Sequence, residues 1–169
     1  MGETDDVLRF EVLGAQHDQS RFESGVEPLD RYFQTQAGRD ARKKMAAPFV
    51  LLLEDGNIAG YYTLSSTAVR LPDLPAAIVH KLPRYPLIHG TLLGRLAIDR
   101  RYQGRGYGRF LLAEALYRAV RSEIASIAMI VDAKDECAKR FYERESFLPF
   151  LEQPMKLFRP MVDIVKLSE

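Results

Sequence analysis

Three glycines at alternate positions, Gly104, Gly106 and Gly108, lie in the stretch DRRYQGRGYGRFLLAEAL from Asp99 to Leu116. Arg100, Arg101, Arg105 and Arg109 surround them, and an apolar run of helical spacing follows at once. A helix N-terminus leaves about four backbone N–H groups without intrahelical partners. Together with the helix dipole they attract an anion. Glycine lets a phosphate approach the backbone because no Cβ blocks it. The arginines add attraction and can reach phosphate oxygens through their planar forks. Residue types and spacing therefore describe a pyrophosphate cradle on a turn between a strand and a helix.

Two common phosphate loops do not fit. The dinucleotide fingerprint G-x-G-x-x-G places its third glycine on Arg109 or on Leu111, depending on register. The nucleoside triphosphate loop needs a Lys followed by Ser or Thr, and none follows here.

A cradle of this kind needs a strand before it and a helix after it. LIHGTLLGRLAID reads as a buried strand, and the helix runs on to about Arg121. Upstream, VLRFEVL (from Val7) reads as a first strand. A helix follows around Leu29, Tyr32, Phe33 and Gln36, with Pro28 near its start and a break or bend expected at Gly38. PFVLLLED, the turn signal DGN and IAGYYTLSSTAV form a hairpin. Residues 71–90, with four prolines, read mostly as loop with a short helical turn at AAIVHKL. Downstream come a buried strand in IASIAMIVDAK, a helix in DECAKRFYERESF, and two closing strands at PFLEQ and MVDIVKL. This order predicts an α/β chain, a mixed sheet with helices on its faces, with a parallel crossover between the strands that flank the glycine turn.

The 169 residues fit one domain, 1–169, with no internal repeat or long linker. No run approaches the roughly 18 apolar residues of a membrane helix. The acidic, polar N-terminus reads as neither a secretory nor a transit signal, and Asp6 argues against myristoylation at Gly2. One cysteine, Cys137, excludes an internal disulfide and a cysteine-rich metal site. The expected location is cytoplasmic. Charge is uneven: residues 1–30 carry two basic and eight acidic side chains, residues 31–121 fifteen and six, and residues 122–169 seven and nine. The middle of the chain is therefore a candidate anion-binding region.

The spacing Gln103-Gly104-Arg105-Gly106-Tyr107-Gly108 fits Q/R-x-x-G-x-G/A, and on this motif the chain resembles the GNAT family of N-acetyltransferases. LGRLAIDRRYQGRGYGRFLLAEAL is similar to that family's fourth strand, pyrophosphate loop and third helix, and AMIVDAKDECAKRFYERESF to its fifth strand and fourth helix. The resemblance implies a splayed central sheet flanked by helices and acetyl-CoA as cofactor. It implies pantetheine along Leu96, Ala97 and Ile98, where a backbone N–H polarises the thioester carbonyl. It implies a diphosphate on the backbone from Gln103 through Gly104, Arg105, Gly106, Tyr107 and Gly108 to Arg109. Tyr142 matches the tyrosine that protonates the departing thiolate. Cys137 reads as a small buried residue, since the family transfers acetyl directly. No metal is implied. Two positions depart from the pattern: Ser146 stands where glycine often precedes the final Phe147, so a different helix end is expected, and Asp135 stands where Asn is common.

FESGVEPLDRYFQTQAGRDARKK, with its F-x-S-G-x-x-x-L-D opening from Phe22 to Asp30, is similar to the GNAT toxins of bacterial toxin–antitoxin pairs. That narrower resemblance implies an aminoacyl-tRNA acceptor, a ribbon-helix-helix antitoxin partner and a homodimer. The basic residues Arg39, Arg42, Lys43, Lys44, Lys81, Arg84 and Arg95 are the RNA-contact candidates. An α-amine suits a site without an evident base, since its pKa is near 8 against about 10.4 for lysine. Two other readings stay open: acetylation of a small amine or protein N-terminus, and a non-catalytic acyl-CoA-binding module.

Overall fold

A computed structural model of the chain describes residues 8–82 and 84–165. Gly2, Val7, Lys166 and Leu167, on which parts of the sequence reading fall, lie outside the described residues. The strands are β1 (Arg9–Val12), β2 (Ala47–Leu52), β3 (Ile58–Arg70), β4 (Leu87–Ile98), β5 (Ala128–Asp132), β6 (Leu148–Pro149) and β7 (Lys156–Pro160). The helices are α1 (Glu27–Thr35), α2 (Ala37–Arg42), α3 (Ala76–Val79), α4 (Tyr107–Val120), α5 (Glu136–Arg144) and α6 (Met161–Val165). The strands form one mixed sheet in the order β1-β2-β3-β4-β5-β7-β6, flanked by helices. Pairing is antiparallel for β1–β2, β2–β3, β5–β7 and β6–β7. The predicted parallel crossover is present: β4 and β5 pair from Thr91↔Met129 to Leu93↔Val131.

The chain divides into two compact units, one holding residues up to Ser65 with Arg95–Ala115, the other Ser66–Gly94 with the residues from Leu116 on. In the first, α1 begins where Pro28 fixes φ in the first turn and Glu27 and Asp30 face the dipole's positive end. The helix breaks at Gln36 (φ −125°), not at Gly38, which lies inside α2. Tyr32, Phe33 and Ala37 are buried with Phe22, Val50, Tyr61 and Ala97. Phe33 stacks on Tyr61 with centroids 4.3 Å apart, and Phe22 meets both rings edge-on. Such pairs add about 0.5–1.5 kcal/mol each beyond area burial. In the second unit, Val69, Leu74, Ala128, Ile130, Phe150 and Phe158 form the core.

The end of the chain corrects the sequence reading. The last strand is KLFRP (β7), and the predicted strand MVDIVKL begins instead as α6. PFLEQ contributes only Pro149 to the two-residue β6, after which Phe150 N–H turns back to Lys156 C=O at 2.8 Å. Among the described residues no helix is long and apolar enough to cross a membrane, and no cluster of His, Cys, Asp and Glu could hold a metal.

Candidate active site

The glycine turn leaves β4 through Asp99. This side chain, 1% exposed, accepts hydrogen bonds from Arg101 N–H and Nε (both 3.0 Å) and from Glu23 N–H (3.2 Å). Burial acts to raise the carboxyl pKa, but the bonds from the Arg101 side chain, the Arg101 backbone and Glu23 outweigh it, so the pKa lies below the ordinary carboxylate value. One tight turn at Arg100–Tyr102 follows. Gly104 and Gly106 then take φ +79° and +82°, a left-handed backbone that glycine adopts without strain. A Cβ at either position would meet nothing within 4 Å, so both face open space.

Helix α4 starts at once, and its first backbone bond runs from Phe110 N–H to Gly106 C=O at 3.2 Å. The amides of Tyr107 and Gly108 precede that bond and have no intrahelical acceptor. Of the surrounding arginines, Arg101 is held by Asp99, Arg100 faces Glu23 across a solvent-exposed 3.5 Å gap, and Arg105 lies 5.7 Å above the Tyr102 ring. Leu96 and Ile98 at the end of β4 are half-buried and Ala97 is buried. Gly60 on β3 lets Ala97 sit where it does: a Cβ there would lie 2.9 Å from the Ala97 carbonyl.

Segment 22–25 lies against this turn. Arg100 N–H donates to Glu23 C=O at 2.7 Å, and the Gln103 side-chain amide donates to Ser24 C=O (2.7 Å) and Ile98 C=O (2.9 Å). The side chain of Gln103 thus ties the loop to its own framework. Ser24 N–H and Oγ–H donate to Asp30 Oδ1 at 2.8 and 2.6 Å. The sequence reading took F-x-S-G-x-x-x-L-D only as a resemblance and missed this role. The available signal was a Ser with an Asp six residues on, side chains that bond nearby backbone.

In the second unit, Asp135 caps α5 by accepting from Ala138 N–H at 2.8 Å, so the departure from Asn costs nothing here. Tyr142, on the last turns, is buried at 9% exposure and meets Phe141 and Phe147 edge-on. Burial pushes its phenol up to about 12. Ser146 takes φ +71°, with Ser146 N–H to Glu143 C=O and Phe147 N–H to Tyr142 C=O both at 3.1 Å. The helix therefore ends in the pattern glycine usually serves, which corrects the expected departure: the left-handed residue is simply a serine. Cys137 is exposed in the first turn of α5, not buried as expected.

Arg39, Arg42, Lys43 and Lys44 are exposed on and after α2, and Lys81 and Arg84 are exposed in the 71–90 segment. Arg95 differs. Its guanidinium lies 3.4 Å above the Tyr32 ring, whose hydroxyl donates to Asp40 at 2.8 Å.

A strand, an open glycine turn and a helix, followed by a parallel crossover, fit the class of acyl-CoA-dependent transferases. The chain belongs to the acetyltransferase (GNAT) family, whose pattern it matches over residues 12–147, and is an acetyltransferase. A relative in Mycobacterium tuberculosis, a tRNA-acetylating toxin, is 34% identical over 149 residues, covering 86% of this chain and 87% of the relative. Among solved structures, AtaT complexed with acetyl-methionyl-tRNAfMet matches with TM-score 0.88 and 32% identity over 96% of this chain and 99% of the other. A variant AtaT toxin bound to the C-terminus of the antitoxin AtaR and acetyl-CoA matches with TM-score 0.82 and 29% identity, covering 96% and 99%.

Proposed function

We propose that the chain transfers acetyl from acetyl-CoA to the α-amino group of aminoacyl-tRNA, as the translation-blocking toxin of a toxin–antitoxin pair. The observation that carries this reading is the open turn at Gly104 and Gly106 ahead of α4. A diphosphate needs N–H donors, room at the backbone and a positive field; the first-turn amides of α4, the open space at the two glycines and the arginines around them support that reading of the turn. In this reading the backbone from Gln103 to Arg109 holds the diphosphate, and Leu96, Ala97 and Ile98 pair with pantetheine. Both units then serve one N-acetyltransferase domain, 1–169.

Acetyl-CoA brings an activated thioester. A backbone N–H near Ala97 polarises its carbonyl while the amine nitrogen attacks. The C–N bond forms, the C–S bond breaks, and the Tyr142 hydroxyl gives its proton to the departing thiolate sulfur. The proton lost by the amine passes to solvent and the phenolate is reprotonated. The carboxylate at the end of β4, Asp99, is no free base: it is committed to Arg101 and Glu23, with a pKa below the ordinary value. This favours an acceptor that is substantially neutral near pH 8, as an α-amine is.

Exposed Arg39, Arg42, Lys43, Lys44, Lys81 and Arg84 are the phosphate contacts of the tRNA. Arg95, stacked on Tyr32, acts through its field. Leu74, Ile78 and Leu82 of the 71–90 segment line an apolar cavity of about 370 Å³, which suits an apolar aminoacyl side chain. The relatives that are tRNA-acetylating or antitoxin-bound support the same acceptor and an antitoxin partner; in this reading that partner is a ribbon-helix-helix protein, and the chain acts as a homodimer in the cytoplasm. The test is incubation of the chain with a charged tRNA pool and labelled acetyl-CoA. N-acetylated aminoacyl-tRNA carrying apolar residues is the expected product. Labelled free amines or protein N-termini beside unlabelled tRNA would refute the acceptor.

A further inference from the structure

The F-x-S-G-x-x-x-L-D segment contains two polar side chains, Ser24 and Asp30, that face each other rather than solvent. Asp30 lies in the first turn of α1, yet it does not act as the helix cap. That position is Val26, which offers no side-chain cap. The Asp30 carboxylate instead reaches back outside the helix. It accepts Ser24 N–H (2.8 Å) and Ser24 Oγ–H (2.6 Å) on one oxygen, and Gly25 N–H (3.3 Å) on the other. Val26 N–H in turn donates to Ser24 Oγ at 3.2 Å. From the far side, Gln34 Nε2 donates to Phe22 C=O at 2.7 Å, and the Phe22 ring is buried between Phe33 and Tyr61. Segment 22–25 is thus fixed at both ends to α1.

The fixed segment presents three backbone groups to the turn after β4. Glu23 N–H donates to the Asp99 carboxylate (3.2 Å), Glu23 C=O accepts Arg100 N–H (2.7 Å), and Ser24 C=O accepts the Gln103 amide (2.7 Å). These bonds hold the residues directly ahead of Gly104 and Gly106. The two glycines have no side chains and open space around them, so their placement depends on what precedes and follows. We propose that Ser24 and Asp30 form a positioning pair for the diphosphate loop: Asp30 fixes Ser24, and the backbone of 23–24 fixes Asp99–Gln103 in the geometry that aims the loop amides. The proposal rests on the reading of that loop as the coenzyme's diphosphate site.

The test uses the full chain with Asp30→Ala and, as the conservative control, Asp30→Asn, which keeps the Oδ1 acceptor. Hydrogen exchange in Asp30→Ala should speed at amides 100–106 and stay unchanged in β5. Removing a charge-assisted acceptor should weaken CoA binding about tenfold in calorimetry. Turnover of S-acetyl-pantetheine, which lacks the diphosphate, should stay within about twofold, and Asp30→Asn should restore CoA binding. Loss with both donors alike, or no change at amides 100–106, overturns the proposal. Should Asp30→Ala fail to fold, Ser24→Ala gives the same comparison, with a smaller effect in the same direction. A wild-type chain that does not bind CoA would sink the reading of the loop instead, and the exchange data alone would then decide whether the pair positions it.

Discussion

Tyr142 and Ser146 lie four residues apart and set opposite demands on α5. A general acid must hold its proton until the thiolate leaves, and burial pushes the Tyr142 phenol up to about 12. In the role proposed for Tyr142 the acid form is the working form, so raising the pKa extends activity toward high pH. The rate should climb as the acceptor amine deprotonates near pH 8 and show no loss from Tyr142 until close to pH 12. Tyr142→Phe should cut turnover by about 10²–10³ with little change in acetyl-CoA affinity, and a chain that only binds acyl-CoA would show no turnover to lose. Ser146 carries its left-handed φ at a cost of about 1–2 kcal/mol. Ser146→Gly should therefore stabilise the chain by about 1 kcal/mol in denaturant titration. The motif around Tyr142 was readable in the sequence, but its burial was not, because a helical tyrosine between Phe141 and Phe147 has the same spacing whether packed or exposed.

Elements with a strong local signal were legible, and those defined by distant partners were not. The glycine turn announced itself because alternating glycines before an apolar helical run have few other uses. The DGN hairpin was equally plain, with Gly56 at φ +86°. Strand β7 was missed because Leu157, Phe158 and Arg159 are all buried, so no alternation marks it. The short pattern M-V-D-I-V after it fits a helix turn as well as a strand, and Pro160 separates the two. The Ser24–Asp30 spacing offered a local signal, but what the brace holds did not show for a similar reason: Asp99 and Gln103 lie more than seventy residues from the Glu23 and Ser24 backbone that meets them. Strand β4 carries one more consequence. Gly60→Ala would place a methyl 2.9 Å from the Ala97 carbonyl. It should destabilise the chain by about 1–3 kcal/mol and raise the Michaelis constant for acetyl-CoA, by displacing the strand proposed to pair with pantetheine.

At the scale of the whole molecule, a nearly neutral chain carries its positive charge in residues 31–121, where the proposed ligands are anionic. Affinity for tRNA should fall with salt, and Lys43→Ala should lower the log–log slope by about 0.7–0.9 if that lysine meets a phosphate. Stability should fall at both pH extremes. Tyr32 and Tyr142 are each pushed up to about 12 and Tyr61 higher still, chiefly by burial. The folded chain therefore keeps protons that the unfolded chain loses above pH 10, and denaturation midpoints should drop between about pH 10 and 12. Asp99 works the other way: its lowered pKa stabilises the fold above its ordinary value of 3.8, and that contribution is lost as acid protonates the folded carboxylate.

The central claim is that backbone amides at the mouth of α4 grip the coenzyme's diphosphate. An isotope-labelled chain titrated with acetyl-CoA and followed by amide NMR tests it most directly. The expected result is saturable movement of the Gly104, Gly106 and Gly108 resonances, tracking the binding curve. Binding that leaves those three glycines unmoved while shifting amides elsewhere would contradict it.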